Sequence, residues 1–379
     1  MTEVAPVSQH SVKKARLDSL TGLRWWAAFG VFLFHMHVFA PVPVLDLFAR
    51  FGNYGVAFFF ILSGFVLTWS ARPGASTRNF YWRRFARIYP AHLVALLIGL
   101  PIFYRFGEVD PAQWWIKSFS VIAIVPAILL VQAWSANPLI LFGGSPVSWT
   151  LTVEAFFYAL HPAANRFLVR FGRAGASWLI CAVLLSLLAY PALMMIDAQG
   201  WWAYVPLPLM RVGEFFLGMS LATLMRLGWK PRVSVAIPAV MLCIYSVFYV
   251  GLSRFELAPR LTKVIGNFEN VFVIVMLCLI ILSVAGRDLS GAPSVFRGRT
   301  VVNLGTWSFA FYLTHSTVMY AFASVVGVQA KSWANLIWYP PVLLLSILAA
   351  WLLFRFVEKP CEARLRRWGD QHLQSKTTA

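Results

Sequence analysis

Gly22-Leu23-Arg24-Trp25-Trp26-Ala27-Ala28-Phe29-Gly30-Val31-Phe32-Leu33-Phe34-His35-Met36 is an apolar run interrupted by one cation and one imidazole. Arg24 and His35 are eleven residues apart. On a helix that spacing is about three turns, so both side chains share a face, separated by roughly 16 Å along the axis. An arginine at the centre of a bilayer helix costs about 2.5–3.5 kcal/mol on insertion scales, so it is kept where it faces a bundle interior, a cavity or the interface. The run therefore predicts a first membrane helix with a cation at one surface and a titratable base near mid-membrane.

The rest of the chain repeats the pattern. Of 379 residues, 60% are hydrophobic and 12% charged, and the mean hydropathy is +0.71. A soluble domain of this length carries about twice that charge. Apolar stretches recur from Gly22 to Phe356 and leave no length for a soluble domain. The fold class predicted is all-α, a polytopic transmembrane helical bundle. The net charge of +18, from 32 Lys+Arg against 14 Asp+Glu, falls in short loops between apolar segments. That is orientation by the positive-inside rule, and nucleic acid is not expected as a partner. Of the four cysteines, Cys181, Cys243 and Cys278 lie in apolar runs and Cys361 in a basic tail, with no CxxC or metal-ligand spacing. Neither a disulfide framework nor a metal site is expected. The polar start, with Lys13, Lys14 and Arg16, resembles a long signal-peptide n-region. The following run is read as retained because it holds Arg24 and His35.

Eleven stretches are candidate spans: 22–41, 54–70, 86–104, 116–134, 148–168, 176–196, 208–227, 233–252, 264–285, 302–327 and 337–357. A span needs about 20 residues. Basic clusters stand at Lys13/Lys14/Arg16, Arg72–Arg87, Arg166–Arg173, Arg226–Arg232, Arg287–Arg299 and Arg355–Arg367. If all share one side, an even number of crossings separates each pair. Only the interval from Arg87 to Arg166 breaks that parity. One stretch there is expected not to span, either 116–134, interrupted by Pro126, or the polar-studded 148–168. The expectation is about ten spans with both termini cytoplasmic: a tail over 1–21, a membrane domain over 22–358 and a basic tail over 359–379. No internal repeat of the inverted-transporter kind is visible.

Several groups carry polar chemistry inside this apolar chain. His35 is either a general base or a histidine bonded to a neighbouring helix; His37, on another face, is read as structural. Arg84 and Arg87 share a face one turn apart. They suit bidentate phosphate binding or a lipid-gripping anchor. Glu154 follows Ser148, Thr150 and Thr152. It could orient a histidine, bind a substrate hydroxyl or pair with a buried arginine. Arg211 and Glu214, at i and i+3, are read as a structural ion pair. His315 lies halfway along a later helix and competes with His35 for the role of base. Glu358 is read as an interfacial helix end, stopped by Pro360.

These stretches, in this order and across nearly the whole chain, resemble the acyltransferase-3 family of membrane O-acyltransferases. The family's arginine, ten residues and histidine match Arg24 and His35; its Ser-Gly-Phe matches Ser63-Gly64-Phe65. Its Arg-x-x-Arg-Ile-x-Pro matches Arg84, Arg87, Ile88 and Pro90. Its Trp-Ser-Leu-x-x-Glu-x-x-Phe-Tyr matches Trp149 to Tyr158, with Thr150 for the serine, and a Tyr-Leu-x-His matches Tyr312 to His315. The resemblance implies the stand-alone form, without a C-terminal esterase-like domain. It implies an acyl-CoA donor, expected to be acetyl-CoA, and an acceptor hydroxyl on a carbohydrate, glycolipid or macrolide-type product. Arg24, Arg84 and Arg87 would hold the donor phosphates, with His35 and Glu154 catalytic and no metal. The expected location is the bacterial inner membrane. A secondary transporter or flippase is the competing class.

Overall fold

The computed structural model describes residues 17–72, 74–111 and 113–373. Lys13, Lys14 and Arg16 of the expected 1–21 tail, and 374–379 of the expected C-terminal tail, lie outside the described residues. The helices are α1 (Asp18–Phe39), α2 (Leu45–Ala49), α3 (Tyr54–Ser70), α4 (Thr77–Phe103), α5 (Val121–Ile128), α6 (Pro138–Leu141), α7 (Trp149–Ile196), α8 (Leu207–Arg226), α9 (Ala236–Phe255), α10 (Pro259–Leu289), α11 (Arg299–Val326), α12 (Tyr339–Leu353) and α13 (Lys359–His372). Among the described residues the only strands are a parallel pair of two residues each, Tyr104–Arg105 and Lys117–Ser118.

Eight helices among the described residues are long and apolar enough to cross a membrane. α1 is not one of them, because Arg24, His35 and His37 depress its hydropathy. The 116–134 stretch forms no spanning helix. It breaks into a short strand, the eight-residue α5 and a 3-10 turn at Gln132–Trp134. Pro126 sits inside α5 and the left-handed Leu130 (φ 58°) follows it.

The 148–168 and 176–196 stretches, expected as two helices, run together as the 48-residue α7, broken at Gly172 with φ 56° and ψ −128°. The chain doubles back there. Phe157 stacks on Phe215 of α8 at 4.8 Å, Arg173 reaches the Leu227 carbonyl at the end of α8 (2.8 Å), and Val183 returns to Gly213. Glycine suits this reversal because a side chain at that φ is strained.

Two crossings set the frame. α3 meets α8 at Gly64 and Gly218: a Cβ at Gly64 would lie 2.1 Å from the Phe215 carbonyl oxygen, and one at Gly218 would lie 1.9 Å from that of Ile61. Small residues let membrane helices approach this closely. Arg211 lies over Phe60 while Arg226 bonds the Thr68 carbonyl, so α3 and α8 run parallel. α1 and α11 also run parallel, with Thr21 against Gly305 and His35 against His315.

The basic loops gather at one end. Arg226 bonds Thr68, Arg173 bonds Leu227, and Arg83 pairs with Asp370 at 2.6 Å. At the same end Asp288 accepts from the Ser19 amide (2.9 Å) and pairs with Arg297 (2.9 Å). The last helix does not stop at Pro360. A π turn at Phe354–Glu358 leads into α13, where Pro360 occupies the first turn, a position that needs no amide proton. α13 straps back onto α4: Trp82 donates to the Leu365 carbonyl (2.6 Å) and Asn79 to Asp370 (3.0 Å).

Candidate active site

A cavity of about 170 Å³ opens among α1, α3, α4, α7 and α11 at the basic end. Arg24, Ser63, Arg84, Arg87, Glu154 and Tyr312 line it. Four of the five residues singled out from sequence thus meet in one place, although they come from three helices.

Their surroundings differ. Arg24 projects from α1 toward the charges of Arg87, Glu358 and Glu154, and no described residue occupies it by a hydrogen bond or ion pair. Arg84 lies over the rings of Phe80 and Tyr158, at 5.9 and 5.8 Å. Its buried Nε has no hydrogen-bond partner among the described residues. Arg87 is already engaged: it bonds Glu358, and Glu362 at 3.1 Å. Glu358 is therefore no interfacial helix end. Its side chain is fully buried beneath Arg87, because the π turn rotates it inward.

Glu154 accepts from the Tyr158 hydroxyl one turn later. The hydroxyls before it are spent on structure. Thr150 bonds the Val147 carbonyl (3.0 Å) and Tyr312 (3.1 Å), and Thr152 bonds buried Gln132 at 2.7 Å. The Thr152–Gln132 bond ties the turn after α5 to α7, and Thr150 ties α7 to α11. The Arg211–Glu214 pair is present at 3.2 Å.

His35 does not line this cavity. It lies three turns deeper on α1, half-buried, beside His315 of α11. His35 Nδ1 stands 2.9 Å from the Val31 carbonyl and 3.3 Å from His315 Nε2. Tyr312 joins the two places: its ring lines the cavity, and its carbonyl accepts from His315 Nδ1 at 2.9 Å. His37 Nδ1 faces the Phe34 carbonyl of its own helix. Among the described residues no cluster of His, Cys, Asp and Glu could hold a metal ion.

Sequence reasoning missed Tyr158, Tyr312 and Glu358 as the partner of Arg87, and it missed Glu362, which bonds Arg87 and pairs with Arg366 at 2.5 Å. The tyrosines stood inside quoted motifs. No sequence signal pointed to Glu362, because α13 folds back onto α4 only in three dimensions.

Arg24, Arg84 and Arg87 thus bring three guanidinium groups to one cavity wall, with the His35–His315 contact further along α1. A model described as an acyltransferase domain matches residues 17–355. Acyltransferase MdmB of Streptomyces mycarofaciens is 32% identical over 93% of this chain and 93% of its own length. Nodulation protein 10 of Rhizobium leguminosarum bv. viciae is 30% identical over 61% of this chain and 64% of its own. A protein of Staphylococcus aureus (strain COL) named "Putative O-acetyltransferase" is 24% identical over 92% of this chain, which covers 58% of that protein. No solved structure matches the chain.

Proposed function

The chain belongs to the acyltransferase-3 family, and from that premise we propose an O-acyl transfer carried by the arginine cavity and His35 together. The donor is acyl-CoA, with acetyl as the acyl group. The acceptor is a hydroxyl of a carbohydrate, glycolipid or macrolide-type product. The observation that carries the reading is one helix bearing an unoccupied Arg24 in a three-arginine cavity and, about 16 Å further along, an imidazole with one nitrogen free.

The donor brings phosphates and a long thiol arm. Arg84 and Arg24 hold the phosphates by charge-assisted hydrogen bonds, and Arg87, tied to two carboxylates, adds field more than contact. The arm runs along α1 to place its thioester by His35. His35 Nε2 takes the proton of the acceptor hydroxyl as the oxygen attacks the thioester carbon. The C–S bond breaks, and the proton on Nε2 passes to the departing thiolate. Glu154 acts from the acceptor side.

Ten crossings fit the packing. Counting α1 and both arms of α7 puts an even number of steps between α1 and α11, and between α3 and α8. Their parallel pairing requires that. Both termini and the basic loops then lie on the cytoplasmic side of the inner membrane. The family match favours chemistry over the transporter or flippase reading.

The test is release of free thiol from acetyl-CoA by purified protein, with and without sugars, glycolipids and macrolides. General-base catalysis is worth about 10²–10⁴-fold, so His35→Ala should lose that much turnover while still inserting and binding acetyl-CoA. His37→Ala should cost far less. A His35→Ala protein of near-normal turnover ends this mechanism.

A further inference from the structure

Resting on the reading of His35 as base, we propose that His315 is its positioning residue: a second imidazole that fixes the His35 tautomer and shares the charge it acquires.

The hydrogen bonds decide the protons. Carbonyl oxygens only accept. His315 Nδ1 faces the carbonyls of Phe311 and Tyr312, at 3.1 and 2.9 Å, so it carries hydrogen. A neutral ring then leaves a lone pair on Nε2. His35 Nδ1 faces the Val31 carbonyl at 2.9 Å, so it too carries hydrogen. The 3.3 Å contact between these nitrogens therefore runs from His35 Nδ1–H to His315 Nε2. One proton is shared between a carbonyl and an imidazole. His35 Nε2 is left unprotonated, the state a base needs.

Exposure assigns the roles. His315 is 0% exposed, stacked on Phe311 at 5.6 Å and edged by Tyr312 at 5.8 Å. No substrate reaches it. His35 is half-buried, so it alone can meet an acceptor hydroxyl. When His35 takes that proton it becomes an imidazolium inside an apolar bundle. Its Nδ1–H bonds then become charge-assisted and roughly double in strength. His315 Nε2 is the side chain that accepts one of them. A carboxylate usually fills this post beside a catalytic histidine, and here a neutral ring does so without adding a buried negative charge. The proton never leaves His35 for His315. It enters at Nε2 and departs from Nε2 to the thiolate, and His315 keeps its own proton throughout.

Four proteins test this: wild type, His35→Ala, His315→Leu and His315→Gln, each purified and melted to check folding. The assay is thiol release from acetyl-CoA with the best acceptor found. His315→Leu should lower kcat about 10- to 100-fold, the scale of a misplaced catalytic group, with KM for acetyl-CoA unchanged. His315→Gln offers an amide oxygen to His35 Nδ1–H and should recover a good part of that loss. The ¹⁵N spectrum of histidine-labelled wild type should show His35 neutral with hydrogen on Nδ1. Full turnover by His315→Leu overturns the proposal, as does a His315→Gln enzyme as inactive as His35→Ala, or hydrogen found on His35 Nε2. Should His315→Leu not fold, the spectrum and His315→Gln decide alone. A fully active His35→Ala enzyme would instead sink the base reading, which separates the two failures.

Discussion

Replacing Arg87 by alanine should unfold more of the protein than its place on a cavity wall suggests. Its side chain is 22% exposed, but the Glu358 side chain beneath it is 0% exposed and that of Glu362 15%. Glu358 Oε2 already has no partner of its own. Arg87→Ala therefore strands a buried carboxylate without its cation. Breaking a buried pair from one side costs about 3–5 kcal/mol, or about two to three and a half orders of magnitude in the folding equilibrium. Glu358→Gln should cost less, about 1.5–3 kcal/mol, the scale of one charge-assisted hydrogen bond. Arg87 would keep Glu362. The deciding comparison is the double variant. With the stranded charge gone, Arg87→Ala/Glu358→Gln should be more stable than Arg87→Ala. Equilibrium unfolding in mixed detergent micelles, followed by tryptophan fluorescence, measures all three. If Arg87→Ala lies within about 1 kcal/mol of wild type, the pair behaves as an exposed one and the reasoning is wrong. A double variant no more stable than the single would refute it equally. Arg87→Ala is thus a poor probe of donor binding taken alone.

Arg84 is the cleaner probe, because it has ring contacts and, among the described residues, no carboxylate partner. Arg84→Ala should weaken acetyl-CoA binding about tenfold or more by direct titration, with partial rescue by Arg84→Lys, which lacks the bidentate fork; unchanged affinity in both makes the cluster a membrane anchor. Glu154→Gln keeps the shape that receives the Tyr158 hydroxyl and should fold, yet lose roughly a hundredfold in turnover; a fully active variant removes Glu154 from the mechanism. Cysteines placed at exposed Ala75 and Asn53, in a protein freed of its own four, should label from opposite sides of intact cells. Same-side labelling would contradict both the topology and the donor's entry face.

The fold class and much of the site were legible because both are local properties. A run of apolar residues declares a membrane helix wherever it packs. An arginine and a histidine eleven residues apart share a face whatever lies opposite. Parity among the basic loops narrowed the failure to one of two stretches, 116–134 or 148–168, and it is 116–134 that forms no spanning helix, broken at Pro126 and Leu130. Helical periodicity says which face of a helix is special and is silent about what that face meets. Hence Arg87 read as a free phosphate ligand, although its carboxylates wait more than 270 residues further on. Pro360 read as a stop, although a π turn carries the chain past it and turns Glu358 inward. His35 and His315 read as rivals, although they are one hydrogen-bonded pair 280 residues apart in sequence. A partner brought by another helix is set by crossing, depth and rotation, and these exist only once the whole bundle has closed.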